Sequence, residues 1–181
     1  MARITAIEPA SAPGRTRELL DGVQKALGMT PNMMKTMARS PALLEGYLSF
    51  SKALSHGALA PRFREQIALA VAQANACEYC LSAHTALGEA AGLGAGDLSS
   101  ARNAMGADPK SDAGLKFAQE IVSRRGQVSD EALAQVKRAG YSDEEIAEVI
   151  AHVALNILTN YFNLVAQTDV DFPRVTPAIA A

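Results

Sequence analysis

Cys77, Cys80 and His84 are the residues whose types and spacing could do chemistry together. A helix turns about 100° per residue, so Cys80 and His84 lie nearly one above the other and Cys77 falls within roughly 60° of that line. All three share one face. That arrangement suits two-electron thiol chemistry: one thiolate attacks an electrophilic oxygen or sulfur, and a second thiol within disulfide reach resolves the product. A nearby imidazole can take the thiol proton and return it to a leaving alkoxide. Spacing leaves open which sulfur attacks. Cys77, close to the helix start, would gain from free backbone amides and the helix dipole, whereas Cys80 is nearer His84. The small residues Ala74, Asn75 and Ala76 just ahead would let a substrate approach. Two other readings stand beside this one. A fourth ligand could complete a zinc site, although His56 and His152 are far off in sequence. The cysteines could also pack as small hydrophobes on an apolar helix face.

The elements that must position these residues are helical. Gly and Pro punctuate the chain, and no window alternates apolar and polar residues long enough for a strand, which separates it from sheet-based CxxC proteins. An extended segment over 1–15 precedes a helix near 16–27, ended by Gly28. Thr30-Pro31 opens a short helix through Met33, Met34 and Met37; Pro41 then starts a helix to about Leu54. A loop over 55–60 leads to Pro61 and a helix through Val71, and a break near Asn75 precedes the cysteine helix, about 78–91. A short helix over 97–103 and a loop over 105–111 follow. Ser129 and Ser142 then cap helices whose first turns carry Asp130, Glu131 and Asp143 to Glu145.

The composition bounds the function. At 181 residues, 49% hydrophobic and 5% aromatic, the chain is long enough for a core of small aliphatic side chains. Its formal charge of −2 lacks the basic surplus that phosphate backbones require, so no nucleic-acid partner is expected. Residues 1–15 read as neither signal peptide nor anchor, and Glu148, His152, Asn156, Asn160 and Asn163 interrupt the apolar run 146–165. A cytoplasmic protein without a membrane partner is expected, where a lone CxxC is more often redox-active than structural. Those five polar residues share one face of the last helix, which reads as solvated or inter-subunit rather than as a cavity lining. The cluster Met29, Met33, Met34 and Met37 reads as gap-filling core more than as a substrate entrance. Glu65, taken alone, reads as an ordinary carboxylate near a helix start, within reach of Arg62.

The stretch from Glu65 to His84, with Glu65 twelve residues before Cys77, resembles the glutamate, CxxC and histidine signature of the alkylhydroperoxidase D (AhpD)-like, carboxymuconolactone decarboxylase superfamily. The motifs Gly28-Met29-Thr30-Pro31-Asn32-Met33, Ser40-Pro41, Leu54, Leu59, Arg64-Glu65 and Asn75-Ala76-Cys77 are similar, in order, to its peroxidase-related branch over about 27–92. The C-terminal third, with Asn156 and Asn160, matches more loosely. The resemblance implies an all-α, AhpD-like orthogonal helical bundle, with one domain over 16–168, its CxxC core at about 40–104 and a tail over 169–181. It further implies a thiol-dependent peroxidase with catalytic Cys80, Cys77, His84 and Glu65. Cys80 would be oxidised to a sulfenic acid, Cys77 would donate a proton and close the disulfide, and Glu65 with His84 would relay protons. Some relatives carry a histidine between the cysteines; here Tyr79 stands there. No cofactor or metal is implied. The implied partners are a hydroperoxide, a dithiol or protein reductant, and further copies of the chain in a dimer, trimer or hexamer. A cofactor-free decarboxylase and a redox-sensing oligomer are the alternatives, and the first has no need of the cysteine pair.

Overall fold

The fold is that of a computed structural model, and it describes residues 2–178; Met1 and residues 179–181, at the ends of the expected N-terminal segment and tail, lie outside the described residues. Among these residues there are nine α-helices and no strand: α1 (Gly14–Leu27), α2 (Asn32–Met37), α3 (Pro41–Ser55), α4 (Pro61–Ala74), α5 (Glu78–Ala90), α6 (Ala95–Arg102), α7 (Pro109–Ser123), α8 (Asp130–Arg138) and α9 (Asp143–Ala166). The all-helical class holds. Two local expectations do not. A 3-10 turn, Pro9–Ser11, interrupts the N-terminal segment. The loop expected to reach Ser111 ends at Asp108, whose carboxylate accepts from the backbone of Lys110 and Ser111 while Pro109 takes the first helical position.

Helix α4 sits at the centre because its middle turns have no solvated side. Residues Gln66 to Ala72 are buried without interruption, and Ala68, Ala70 and Ala72 let neighbours approach closely. Helices α5, α6, α7 and α9 all pack on it. The long helix α9 also touches α3, α5 and α7, so it spans the side of the core that carries the cysteines. By length and composition α9 could cross a membrane, with a mean hydropathy of 1.4 in its most apolar window. Its orientation is the reverse of the expected one. His152, Asn156, Asn160 and Asn163 are buried, while Ile150, Leu158, Tyr161 and Val165 are exposed by 48%, 39%, 55% and 65%. Glu148, at the start of this polar face, accepts from the backbone N–H groups of Ala58 at 2.8 Å and Leu59 at 3.0 Å and so holds the α3–α4 loop.

Close packing also depends on Gly114 of α7. A Cβ there would collide with the Tyr141 hydroxyl and lie 2.6 Å from Phe63 Cζ of α4, and both rings are held against each other with centroids 6.0 Å apart. Gly114→Ala is expected to destabilise the fold by about 1–3 kcal/mol through overpacking. Urea unfolding checks this: the midpoint should fall at an unchanged m value, and an unmoved midpoint would mean that the two rings yield freely.

Candidate active site

The cysteine helix begins with a strained corner. Asn75 ends α4, Ala76 adopts a left-handed conformation at φ 53°, and Cys77 follows as the N-cap of α5. Such a φ costs an alanine roughly 1 kcal/mol, so something must hold the corner. The side chain of Asn75 does so by donating to Asn160 Oδ1 of α9 at 3.0 Å. At the N-cap, Cys77 Sγ accepts from the backbone N–H of Cys80 at 3.3 Å. The two sulfurs are joined in a disulfide with the Cα atoms 5.4 Å apart.

Four turns of packed α4 and α5 bring Glu65 opposite His84. Glu65 Oε2 and His84 Nδ1 are 2.8 Å apart, each side chain 23% exposed, so the two form a hydrogen-bonded pair. Arg62, the alternative partner for Glu65, instead meets Asp97 at 3.2 Å. Gly88, one turn beyond His84, has no side chain where α5 passes Leu93 and Leu98, and its absent Cβ would lie 3.9 Å from Glu65 Cβ. The pair therefore occupies a fixed place between two rigid helices.

Two contiguous cavities open around this pair. One, about 290 Å³, is walled by Met29, Met33, Met34, Leu87, Tyr79 and Phe172 and reaches Cys80 and His84. The other, about 170 Å³, is polar, lined by Arg64, His152, Asn156 and Ser55. Tyr47, Ser51, Glu65, His84 and Thr159 line both. Cys80 faces the apolar cavity and Cys77 does not, although both are almost fully buried, at 2% and 1% exposure. The expected approach past Ala74, Asn75 and Ala76 does not reach sulfur, because Cys77 is buried at that corner; the cavity that Cys80 lines is walled by the methionines instead. Those methionines serve both roles set out from the sequence: Met33, Met34 and Met37 are core, while exposed Met29 with Met33 and Met34 shapes the entrance.

Several residues of the site were outside the sequence-based set. Tyr47 of α3 stands where the two cavities join, and burial first, then the negative charge of Glu65, pushes its phenol up to about 12 against an opposing hydrogen bond from Ser51. It is thus a neutral hydrogen-bond donor at ordinary pH. Asn163 Nδ2 donates to Cys80 Sγ at 3.4 Å, a contact across 83 residues that no local pattern signals. Tyr79, between the two cysteines, ties α5 to α2 and to the C-terminal segment: its oxygen accepts from the backbone N–H of Met33 at 3.1 Å, and its ring meets Phe172 edge-on at 5.9 Å. Burial raises its phenol well above the ordinary tyrosine range. His56 lies on the surface beside Lys52 and Ser55, away from the cysteines. Among the described residues no three or more of His, Cys, Asp and Glu converge as a metal site would require.

His152 faces the polar cavity with its Nε2 buried and unpartnered. Burial, then the charge of Arg64, lowers its imidazole below the ordinary 6.5, against weaker opposing pulls from Glu148 and Glu65. The folded chain thus binds this proton less readily than the unfolded one. Stability should therefore be lost as pH falls below 6.5 and towards the lowered value. His152→Gln is expected to lose less stability than the parent over that acid range in urea unfolding; equal losses would contradict the assignment.

The neighbours of this fold and site are consistent among themselves. Residues 41–120 match the model of the carboxymuconolactone decarboxylase family. No functionally curated protein matches the chain in sequence. Among solved structures, a peroxidase-related protein with an alkylhydroperoxidase AhpD core from Ralstonia eutropha JMP134 is 24% identical, with a TM-score of 0.85 over 94% of this chain and 92% of that one. A peroxidase-related protein from Silicibacter sp. TM1040 is 21% identical, with a TM-score of 0.81 over 93% and 91%. The debrominase Bmp8, in a complex with 2,3,4-tribromopyrrole, is 20% identical, with a TM-score of 0.80 over 93% and 91%. Residues 41–120, which hold Glu65, the CxxC pair and His84, thus match the carboxymuconolactone decarboxylase family's model, and the chain shares its all-helical fold with the AhpD-core protein.

Proposed function

We propose that the protein is a thiol-dependent peroxidase in which Cys80 reduces a hydroperoxide and Cys77 closes the disulfide. The observation that carries this reading is that Cys80 is the cysteine lining the cavity where Glu65 and His84 stand paired. The Cys80 thiol passes its proton to the Glu65–His84 pair, and the thiolate attacks one peroxide oxygen. An S–O bond forms, the O–O bond breaks, and the leaving alkoxide takes the proton back from His84 as alcohol. Cys77 sulfur then attacks the Cys80 sulfenic acid, so that an S–S bond forms, the S–O bond breaks, and the Cys77 proton leaves with hydroxide as water. The two thiols give two electrons and the peroxide accepts them. A dithiol donor, protein or small molecule, returns two electrons and two protons to the disulfide. The cytoplasm is the compartment that supplies such donors. Further copies of the chain are the proposed structural partners, and the outward apolar stripe of α9 supports that reading.

A second reading is favoured by the apolar and aromatic wall beside Cys80, made by Met33, Leu87, Tyr79 and Phe172. Such a wall would also hold a halogenated aromatic ring, the type of ligand named for Bmp8. There one thiolate would take the halogen from the ring carbon, which would gain a proton in its place, and the second thiol would displace the halogen from sulfur as halide, losing its own proton and leaving the same disulfide.

Peroxide consumption with dithiothreitol as donor separates these readings. Cys80→Ser is expected to abolish turnover, Cys77→Ser to slow it because dithiothreitol must then attack the Cys80 sulfenic acid in place of Cys77, and Glu65→Gln to lower the rate by about 10²–10⁴. Full turnover in both cysteine variants would end the proposal. Bromide release from a bromopyrrole, with no peroxide consumed, would establish the second reading in its place.

A further inference from the structure

Asn163 lies in the last turn of α9, and its side chain is 3% exposed. Its Nδ2 donates to Cys80 Sγ at 3.4 Å and to Met33 Sδ at 3.2 Å, while Oδ1 is buried without a partner. A carboxamide in that position is poorly explained by stability. A buried carbonyl oxygen with no donor is unfavourable, and an apolar side chain of the same shape would remove the penalty. What the amide does supply is an N–H directed at the sulfur that faces the substrate cavity. Beside that sulfur the cavity wall of Met33, Ala83 and Phe172 is apolar, an environment that disfavours a thiolate unless a donor compensates.

We propose that Asn163 is a catalytic residue: its Nδ2–H bonds to the Cys80 sulfur and stabilises the thiolate left when the Glu65–His84 pair takes the proton. This rests on the reading of Cys80 as the attacking sulfur. Asn160, one turn back along α9, braces Asn75 ahead of Cys77, so adjacent amides of one helix serve the two ends of the CxxC segment. Met33, a weak acceptor, keeps the amide turned with its N–H groups toward sulfur.

The test uses the reduced 181-residue chain carrying Cys77→Ser, so that Cys80 is its sole thiol, and follows thiolate ultraviolet absorbance against pH. Asn163→Leu is expected to move the Cys80 midpoint upward by about one unit, leaving roughly tenfold less thiolate at neutral pH. Asn163→Asp, which sets a carboxylate against the sulfur, should move it further in the same direction. The urea midpoint of Asn163→Leu should hold or rise, which a purely structural asparagine would not give. An unmoved thiolate midpoint in both variants overturns the proposal; if Asn163→Leu does not fold, an unmoved midpoint in Asn163→Asp alone does so. Because no peroxide enters this measurement, a shifted midpoint in a protein that consumes none upholds Asn163 at the sulfur while the peroxidase reading fails.

Discussion

The packing of α5 on α4 is the contact on which the rest of the structure depends. Only at this register does Glu65 meet His84 at 2.8 Å while Cys80, one turn before His84, faces the same cavity. The register is set by ordinary means: an Ala-rich central helix, a glycine at Gly88 and a short left-handed corner at Ala76. A connection this short leaves little freedom to slide one helix along the other, so the distance between carboxylate, imidazole and sulfur is a property of the backbone. This is the kind of preorganisation that proton transfer requires, since the groups need no search at the moment of reaction.

Helix α9 completes the arrangement by turning its polar side inward. Burying His152, Asn156, Asn160 and Asn163 sets several amide and imidazole groups in an interior where each must find a partner, and three of these four side chains keep one atom unpaired. The same helix leaves Tyr161 and Val165 in water. Folding alone would favour the opposite orientation. The inward polar face instead lines the cavity and braces the CxxC corner, and the outer face carries exposed apolar side chains.

Much of this was legible in the sequence, for physical reasons that differ by element. Pro41 and Pro61 start helices because they need no amide partner there, and Ser129 and Ser142 cap because their hydroxyls supply one, so the framework follows from local chemistry. The shared face of Cys77, Cys80 and His84 is likewise local. The direction of α9 was not legible, because its two faces are both continuous and periodicity cannot say which one meets the core. Tyr47 and Asn163 enter the site from helices far away in sequence, and neither stands in a motif. Glu65 lies between these cases. Its helical position allowed Arg62 as a partner, the family resemblance pointed to His84, and the fold pairs it with His84.

The central claim is that these elements make Cys80, not the N-cap Cys77, the sulfur that meets substrate. It is tested most directly by trapping. Single-cysteine Cys77→Ser and Cys80→Ser proteins, reduced and exposed to one equivalent of an organic hydroperoxide with dimedone present, are digested and their peptides weighed. The account predicts the sulfenic acid adduct on Cys80 and little or none on Cys77. An adduct that forms as fast on Cys77, or faster, would contradict it.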